Sequence, residues 1–215
     1  MRKFENFNLV IVGVGGQGLI TLLKIISQAA LLADFDIKTS ELHGLSQRGG
    51  SVEVHARFGK EVFSPLVRQG GADLVIALDT QEAQRACYYG SKQKTIFLIN
   101  DFLAPVIKGK PLPRKEILKN VEKFSKNSLL IPASRLCQEK IGKSVTAGIF
   151  MLSLASFKNI IPLRPELILK AIENVISAKY LEINRKTFDL AKLYLPRIFS
   201  EKASAKKATS NKPGP

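Results

Sequence analysis

The chain has 215 residues, 45% of them hydrophobic and 24% charged, with 33 Lys and Arg against 18 Asp and Glu. Those proportions exclude wholesale disorder, collagen-like and low-complexity classes, and the length suits one generous domain or two small ones. No apolar run approaches the roughly 20 residues needed to cross a bilayer, because Lys24 interrupts the longest candidate. Met1–Asn6 leads into a strand without a small-residue cleavage site, so a cytoplasmic protein with neither signal peptide nor membrane contact is expected.

The first element is Asn8–Val12, a short β-branched run that ends at a glycine cluster and reads as a buried parallel strand. From Gln17 to Ala33 the apolar residues recur at three and four, which predicts an amphipathic helix packed on the sheet. Asp36–Glu41 is a second strand, completing a strand–helix–strand unit of the usual right-handed kind. Residues 42–50 are polar and glycine-rich, hence a loop. Ser51–Phe58 then alternates strictly, with Val52, Val54, Ala56 and Phe58 on one face and Glu53, His55 and Arg57 on the other. Gly59–Lys60 is expected to turn the chain so that Glu61–Phe63 returns as an antiparallel hairpin.

The α/β alternation resumes with a strand at Ala72–Leu78, a helix from Thr80 to Tyr89 and a strand at Lys94–Ile99. A helix over 111–124 and a strand over 128–131 follow. Helical periodicity then covers 133–141, 145–157, 164–178 and 184–199. The expected fold is α/β: a mostly parallel sheet with flanking helices, an inserted antiparallel hairpin and a helical C-terminal third. One domain spans residues 7–199, and Ser200–Pro215, with four Lys against one Glu, is expected to be a disordered basic tail.

The net charge of +15 favours anionic partners, namely nucleic acid, phosphorylated cofactors or acidic proteins. No helix-turn-helix signature, RNA-binding aromatic motif or run of consecutive basic residues accompanies it, so nucleic acid is not an expected partner. Cys87 and Cys137 lie 50 positions apart with no C-x-x-C companion, too few for a cluster that needs about four thiolates. His43 and His55 are the only histidines, so no zinc site is expected and no metal ligand is assigned.

Two loops carry the chemistry. Gly13-Val14-Gly15-Gly16-Gln17-Gly18 fits the G-x-G-x-x-G pattern between a strand and a helix. Its glycines allow a tight turn and close approach of a ligand, and the backbone amides at the helix N-terminus would face an anion. Glu41, at the end of the second strand, stands where a Rossmann fold would hold a ribose hydroxyl. A dinucleotide, another anion and plain turn geometry all remain open on this motif. The second loop, with Glu41, His43, Gly44, Ser46, Gln47, Arg48, Gly49 and Gly50, gathers a carboxylate, an imidazole, a hydroxyl, an amide and a guanidinium. Arg48 could fork onto a carboxylate or phosphate, and the paired glycines would admit a ligand to the main chain. His55 reads as an ordinary cross-strand residue and Asp79 as a helix cap. No catalytic constellation is present, so no catalytic residue is assigned.

The combination V-G-V-G-G-Q-G at 12–18, S-E-L-H-G-L-S-Q-R-G-G-S-V at 40–52, F-S-P-L at 63–66 and A-D-L-V-I-A-L-D at 72–79 resembles the gamma-type subunit of 2-oxoacid:ferredoxin oxidoreductases. The likeness continues through S-V-T-A-G-I-F-M-L at 144–152 and N-R-K-T-F-D-L-A at 184–191, and covers about residues 7–195. Within the family the chain looks most like the branch acting on indolepyruvate and other aryl pyruvates. The resemblance implies a complex that decarboxylates the oxoacid, forms an acyl-coenzyme A and passes electrons to ferredoxin. It also implies that thiamine diphosphate and iron–sulfur clusters reside on a large partner subunit, that this chain alone binds no cofactor and is inactive alone, and that coenzyme A is a co-substrate. Gly13, Gly15, Gly16, Gln17, Gly18 and the loop from Glu41 to Gly50 would then belong to the site region. The rival expectation is a free-standing Rossmann protein binding NAD or FAD.

Overall fold

The structure, a computed structural model, describes residues 5–44, 50–105 and 112–210. Six strands form one sheet: β1 (Asn6–Val14), β2 (Asp36–His43), β3 (Ser51–Gly59), β4 (Leu74–Ala77), β5 (Ile96–Asn100) and β6 (Asn127–Ile131). Their spatial order is β2-β3-β1-β4-β5-β6. β1, β4, β5 and β6 pair in parallel, whereas β3 runs antiparallel to both β1 and β2. The sheet is therefore mostly parallel with one reversed strand.

Alternation of apolar side chains divides the core into two layers. Leu9 and Ile11 of β1, with Leu74, Ile76 and Leu98, face a large cluster built with α1 (Leu19–Leu32) and four C-terminal helices. Those are α4 (Ala133–Ile141), α5 (Ala147–Phe157), α6 (Pro165–Val175) and α7 (Ala178–Ser210). Val10, Val12, Val75, Ala77, Phe97 and Ile99 point the other way, against α2 (Thr80–Arg85), the 3-10 turn Ala86–Tyr89 and α3 (Arg114–Phe124). Helix α5 is buried from Ala147 to Ser156, which explains its nearly uninterrupted apolar sequence. Among the described residues no helix is long and apolar enough to cross a membrane.

Three features differ from expectation. Glu61–Phe63 is not a strand. Its backbone groups are taken by side chains instead of a ladder: Val62 N–H donates to Asp36 Oδ2 (2.8 Å), and Arg57 donates to the Ser64 carbonyl (2.8 Å). Pro65, which has no N–H to donate, follows at once. The antiparallel pairs are thus β2–β3 and β3–β1. Second, β1 and β2 run in the same direction but are not neighbours, because β3 lies between them. Third, α7 continues to Ser210, into the stretch read as a tail, where Ala and Lys are good helix formers. Residues 211–215 lie outside the described residues.

Candidate ligand-binding crevice

The parallel strands end at one edge, and the turns that follow them build a crevice there, as in other open α/β sheets. The glycine loop after β1 contributes Gly15, Gly16 and Gln17, β5 ends in Asn100, and the first turn of α4 presents Ser134. Ala147 and Gly148 close it from the start of α5. The cavity measures about 480 Å³. Beyond Val145, which lines both, a second hollow of about 580 Å³ opens beside Gly18, Thr21, Lys143, Tyr180 and Asn184.

The glycine loop owes its shape to Gln17. Its Oε1 accepts from Val14 N–H (2.8 Å) and its Nε2 donates to the Leu78 carbonyl (3.1 Å), so the side chain folds back under its own loop. A Cβ on Gly13 would meet Gln17 Oε1 at 2.6 Å, so this glycine makes room for the chain's own amide, not for a ligand. Gly16 and Gly18 differ: both have positive φ, 94° and 78°, and nothing lies within 4 Å of the position a Cβ would take. There the turn demands glycine and the space beyond is open.

Two residues that flank the second loop, Gly44 and Gly50, are described, and Gly50 lies against the first loop. Gly15 N–H donates to the Gly50 carbonyl (3.0 Å), and Gly44 N–H to the Ser51 carbonyl (2.9 Å). Ser46, Gln47, Arg48 and Gly49 lie outside the described residues. Glu41 and His43 sit on the exposed edge strand, 3.5 Å apart in an ion-pair geometry, and do not line the crevice. With β3 interposed, Glu41 stands two strands from the glycine loop and cannot serve the Rossmann role, which requires adjacent strands. The NAD or FAD reading therefore has no structural support.

Several helix N-termini meet at this edge. Helices α1, α4 and α5 all start at this edge, and none has an acidic residue in its first turn or a side-chain cap from its N-cap residue. Helices α2, α3 and α6 do carry first-turn acids: Glu82, Glu116 and Glu166. Asp79 caps α2, as expected, accepting from Gln81 N–H (2.7 Å) and Glu82 N–H (3.3 Å), while its other oxygen accepts from Ala104 N–H (2.6 Å). Glu82 in turn accepts from the Ser51 hydroxyl and pairs with Arg85 (3.6 Å). The acids nearest the edge are thus occupied, and among the described residues no charged side chain lines the crevice. The helix N-termini add backbone N–H dipoles at this edge, an arrangement that favours an anion.

Asn100, Ser134 and the 144–148 segment were not singled out as site residues from sequence. An Asn closing an apolar strand and the small-residue run S-V-T-A-G before an apolar helix were the available signals. Neither thiol could help hold a cluster. Cys87 and Cys137 are buried free thiols on opposite faces of the sheet, and burial pushes each up to about 11. Among the described residues no group of three or more His, Cys, Asp or Glu could hold a metal ion.

A mixed sheet with a crevice at its carboxyl edge, lined by no charged side chain among the described residues, defines an α/β domain of the open-sheet kind. Residues 8–194 match the pyruvate ferredoxin/flavodoxin oxidoreductase family, and the chain belongs to it. It is 34% identical over 187 residues to the indolepyruvate oxidoreductase subunit IorB of Archaeoglobus fulgidus, covering 85% of this chain and 92% of that protein. The corresponding Pyrococcus horikoshii subunit is 32% identical, covering 86% and 94%. The gamma subunit of a keto/oxoacid ferredoxin oxidoreductase from Geobacter sulfurreducens shares the fold, with a TM-score of 0.65 at 18% identity over 89% of this chain and 99% of that one. A 2-oxoglutarate:ferredoxin oxidoreductase from Magnetococcus marinus, solved with 2-oxoglutarate, coenzyme A and succinyl-CoA bound, superposes with a TM-score of 0.69 at 14% identity. The match covers 91% of this chain but 32% of that polypeptide, so the same fold forms one part of a longer chain there.

Proposed function

We propose that the chain is the small subunit of a complex that oxidatively decarboxylates indolepyruvate, or another aryl pyruvate, to its acyl-coenzyme A and passes the electrons to ferredoxin. The substrate is supported by 34% and 32% identity over nearly the whole length of two indolepyruvate oxidoreductase subunits. Thiamine diphosphate and iron–sulfur clusters belong on a larger partner subunit in this reading and supply the decarboxylation and electron transfer. The part played by this chain is to hold coenzyme A. The observation that carries that role is the convergence of three acid-free helix N-termini on one uncharged crevice. Phosphate groups seated there would gain from backbone N–H dipoles without displacing a side-chain counter-ion.

The test is anaerobic co-purification with the large subunit, followed by ferredoxin reduction with indolepyruvate, phenylpyruvate, pyruvate and 2-oxoglutarate. Aryl pyruvates should give the highest kcat/KM, in a reaction that requires coenzyme A, and the isolated chain should be inactive. A complex that prefers pyruvate or 2-oxoglutarate would overturn the substrate. Turnover by the isolated chain would overturn the subunit role.

A further inference from the structure

We propose that Gln17 and Asn100 are positioning residues whose carboxamides grip one shared acceptor, the Leu78 carbonyl, and thereby set the affinity of the crevice for its anionic co-substrate. The inference rests on the coenzyme A role just proposed. Leu78 follows the last residue of β4, so its carbonyl lies just past the parallel ladder. It accepts Gln17 Nε2 at 3.1 Å and Asn100 Nδ2 at 2.9 Å, filling both lone pairs. The acceptor ends of the same two amides hold the crevice walls. Gln17 Oε1 takes Val14 N–H (2.8 Å), and Asn100 Oδ1 takes Ser134 N–H (3.0 Å) in the first turn of α4. Asn100 Nδ2 also donates to Ser134 Oγ (2.7 Å), and the side chain is 1% exposed. A continuous clamp therefore runs from the α1 loop through β4 and β5 to α4.

The choice of amides is informative. Glu at 17 and Asp at 100 would keep the same shape and both acceptor bonds. Each would, however, set a carboxylate oxygen against the Leu78 carbonyl and put a negative charge at helix N-termini that carry no acidic side chain of their own. The chain does use an acid where a helix start is merely to be capped, at Asp79 before the neighbouring α2. At the crevice it obtains the same rigidity with neutral groups.

The reconstituted complex carrying Asn100→Asp or Gln17→Glu tests this, each variant first checked for assembly by gel filtration. The half-buried Gln17→Glu serves if the buried substitution fails to assemble. The KM for coenzyme A should rise about tenfold at about pH 8, with the KM for the 2-oxoacid and kcat within about twofold of wild type. Relative to wild type, the Asn100→Asp defect should shrink toward about pH 5.5. A buried carboxyl resists ionisation, and once protonated it donates to Leu78 again. Val145→Trp, at the exposed ridge shared by both hollows, obstructs the crevice independently of the clamp. An unchanged coenzyme A KM in Val145→Trp would overturn the crevice reading itself. A raised KM there, with wild-type values in both charge variants, would overturn the clamp alone. Equal loss for both substrates at every pH would reduce Gln17 and Asn100 to a general structural role and also overturn it.

Discussion

Beneath the reversed strand, Glu53 Oε1 receives two hydrogen bonds, from His55 Nε2 (2.8 Å) and from the Tyr89 hydroxyl (2.6 Å). His55 Nδ1 accepts Val67 N–H (3.0 Å), which assigns its proton to Nε2, and its ring meets Tyr89 edge-on at 5.0 Å. From sequence His55 is an ordinary cross-strand residue, and its place in the β3 ladder agrees. The structure adds that it is buried, 1% exposed, and ties a loop to the sheet. Burial alone would raise the Glu53 carboxyl, but the bonds from His55 and Tyr89 outweigh it and hold it below the ordinary 4.5. Burial first, and Glu53 second, push the Tyr89 phenol well above its usual value. A depressed carboxyl stabilises the fold fully above its unfolded pKa, and that contribution is lost as pH falls through the lowered folded value. Urea unfolding of the chain should therefore show a stability loss setting in below about pH 4.5 that Glu53→Gln flattens. An identical acid profile in the variant would refute the assignment. Tyr89→Phe should cost about 0.5–1.5 kcal/mol at neutral pH.

Between β3 and β4 the segment Lys60–Gly71 crosses the sheet as a strap, not a strand. Its backbone is anchored at Val62 by Asp36, at Ser64 by Arg57 and at Val67 by His55, and it ends where Asn8 Nδ2 donates to the Gly71 carbonyl (3.1 Å). Removing the central anchor with His55→Ala should raise amide hydrogen exchange across 62–70 while α3, held through Val121 to the core, exchanges as before. Unchanged protection of the strap would show that the outer anchors suffice. Much at this scale is legible in sequence: β1, β4 and β5 announce themselves as apolar runs, Asp79 as a cap, and α5 as a helix. The wrong element is instructive. Alternation in Ser51–Phe58 correctly reports a strand with Val52, Val54, Ala56 and Phe58 on the core face. It says nothing of neighbours, and a glycine turn invites a local hairpin, whereas Val52 and Val54 actually register with Gly13 and Ile11. The crevice divides in the same way. The glycine loop is a local motif and can be read directly, but Asn100 and Ser134 meet only because parallel pairing of β5 and β6 delivers them to one edge.

The family match from residue 8 to 194 takes in strands of all six positions in the sheet and about half of α7, so the whole sheet is the unit on which the crevice depends. Its six strands are not laid down in spatial order. β1, made first, ends up between β3 and β4, near the centre of the finished sheet. The segments adjacent to it in sequence cannot shield it alone: residues Leu9 to Val12 are almost completely buried in the final structure, on both faces and along both edges. During translation, 63 positions separate Val14 from Ala77 (77 − 14). At about 5–20 residues per second, β1 therefore waits roughly 3–13 s before its second flank exists. Ribosome-bound chains stalled just past α1 should be readily cleaved within β1 by added protease, and resistance should appear only once β4 has emerged. Resistance in the shorter chains would mean that β1 and α1 fold as a pair. Of the six strands, the one that carries the glycine loop thus waits longest for its second neighbour, and a holding chaperone or prompt emergence of the rest stands between its open edge and aggregation.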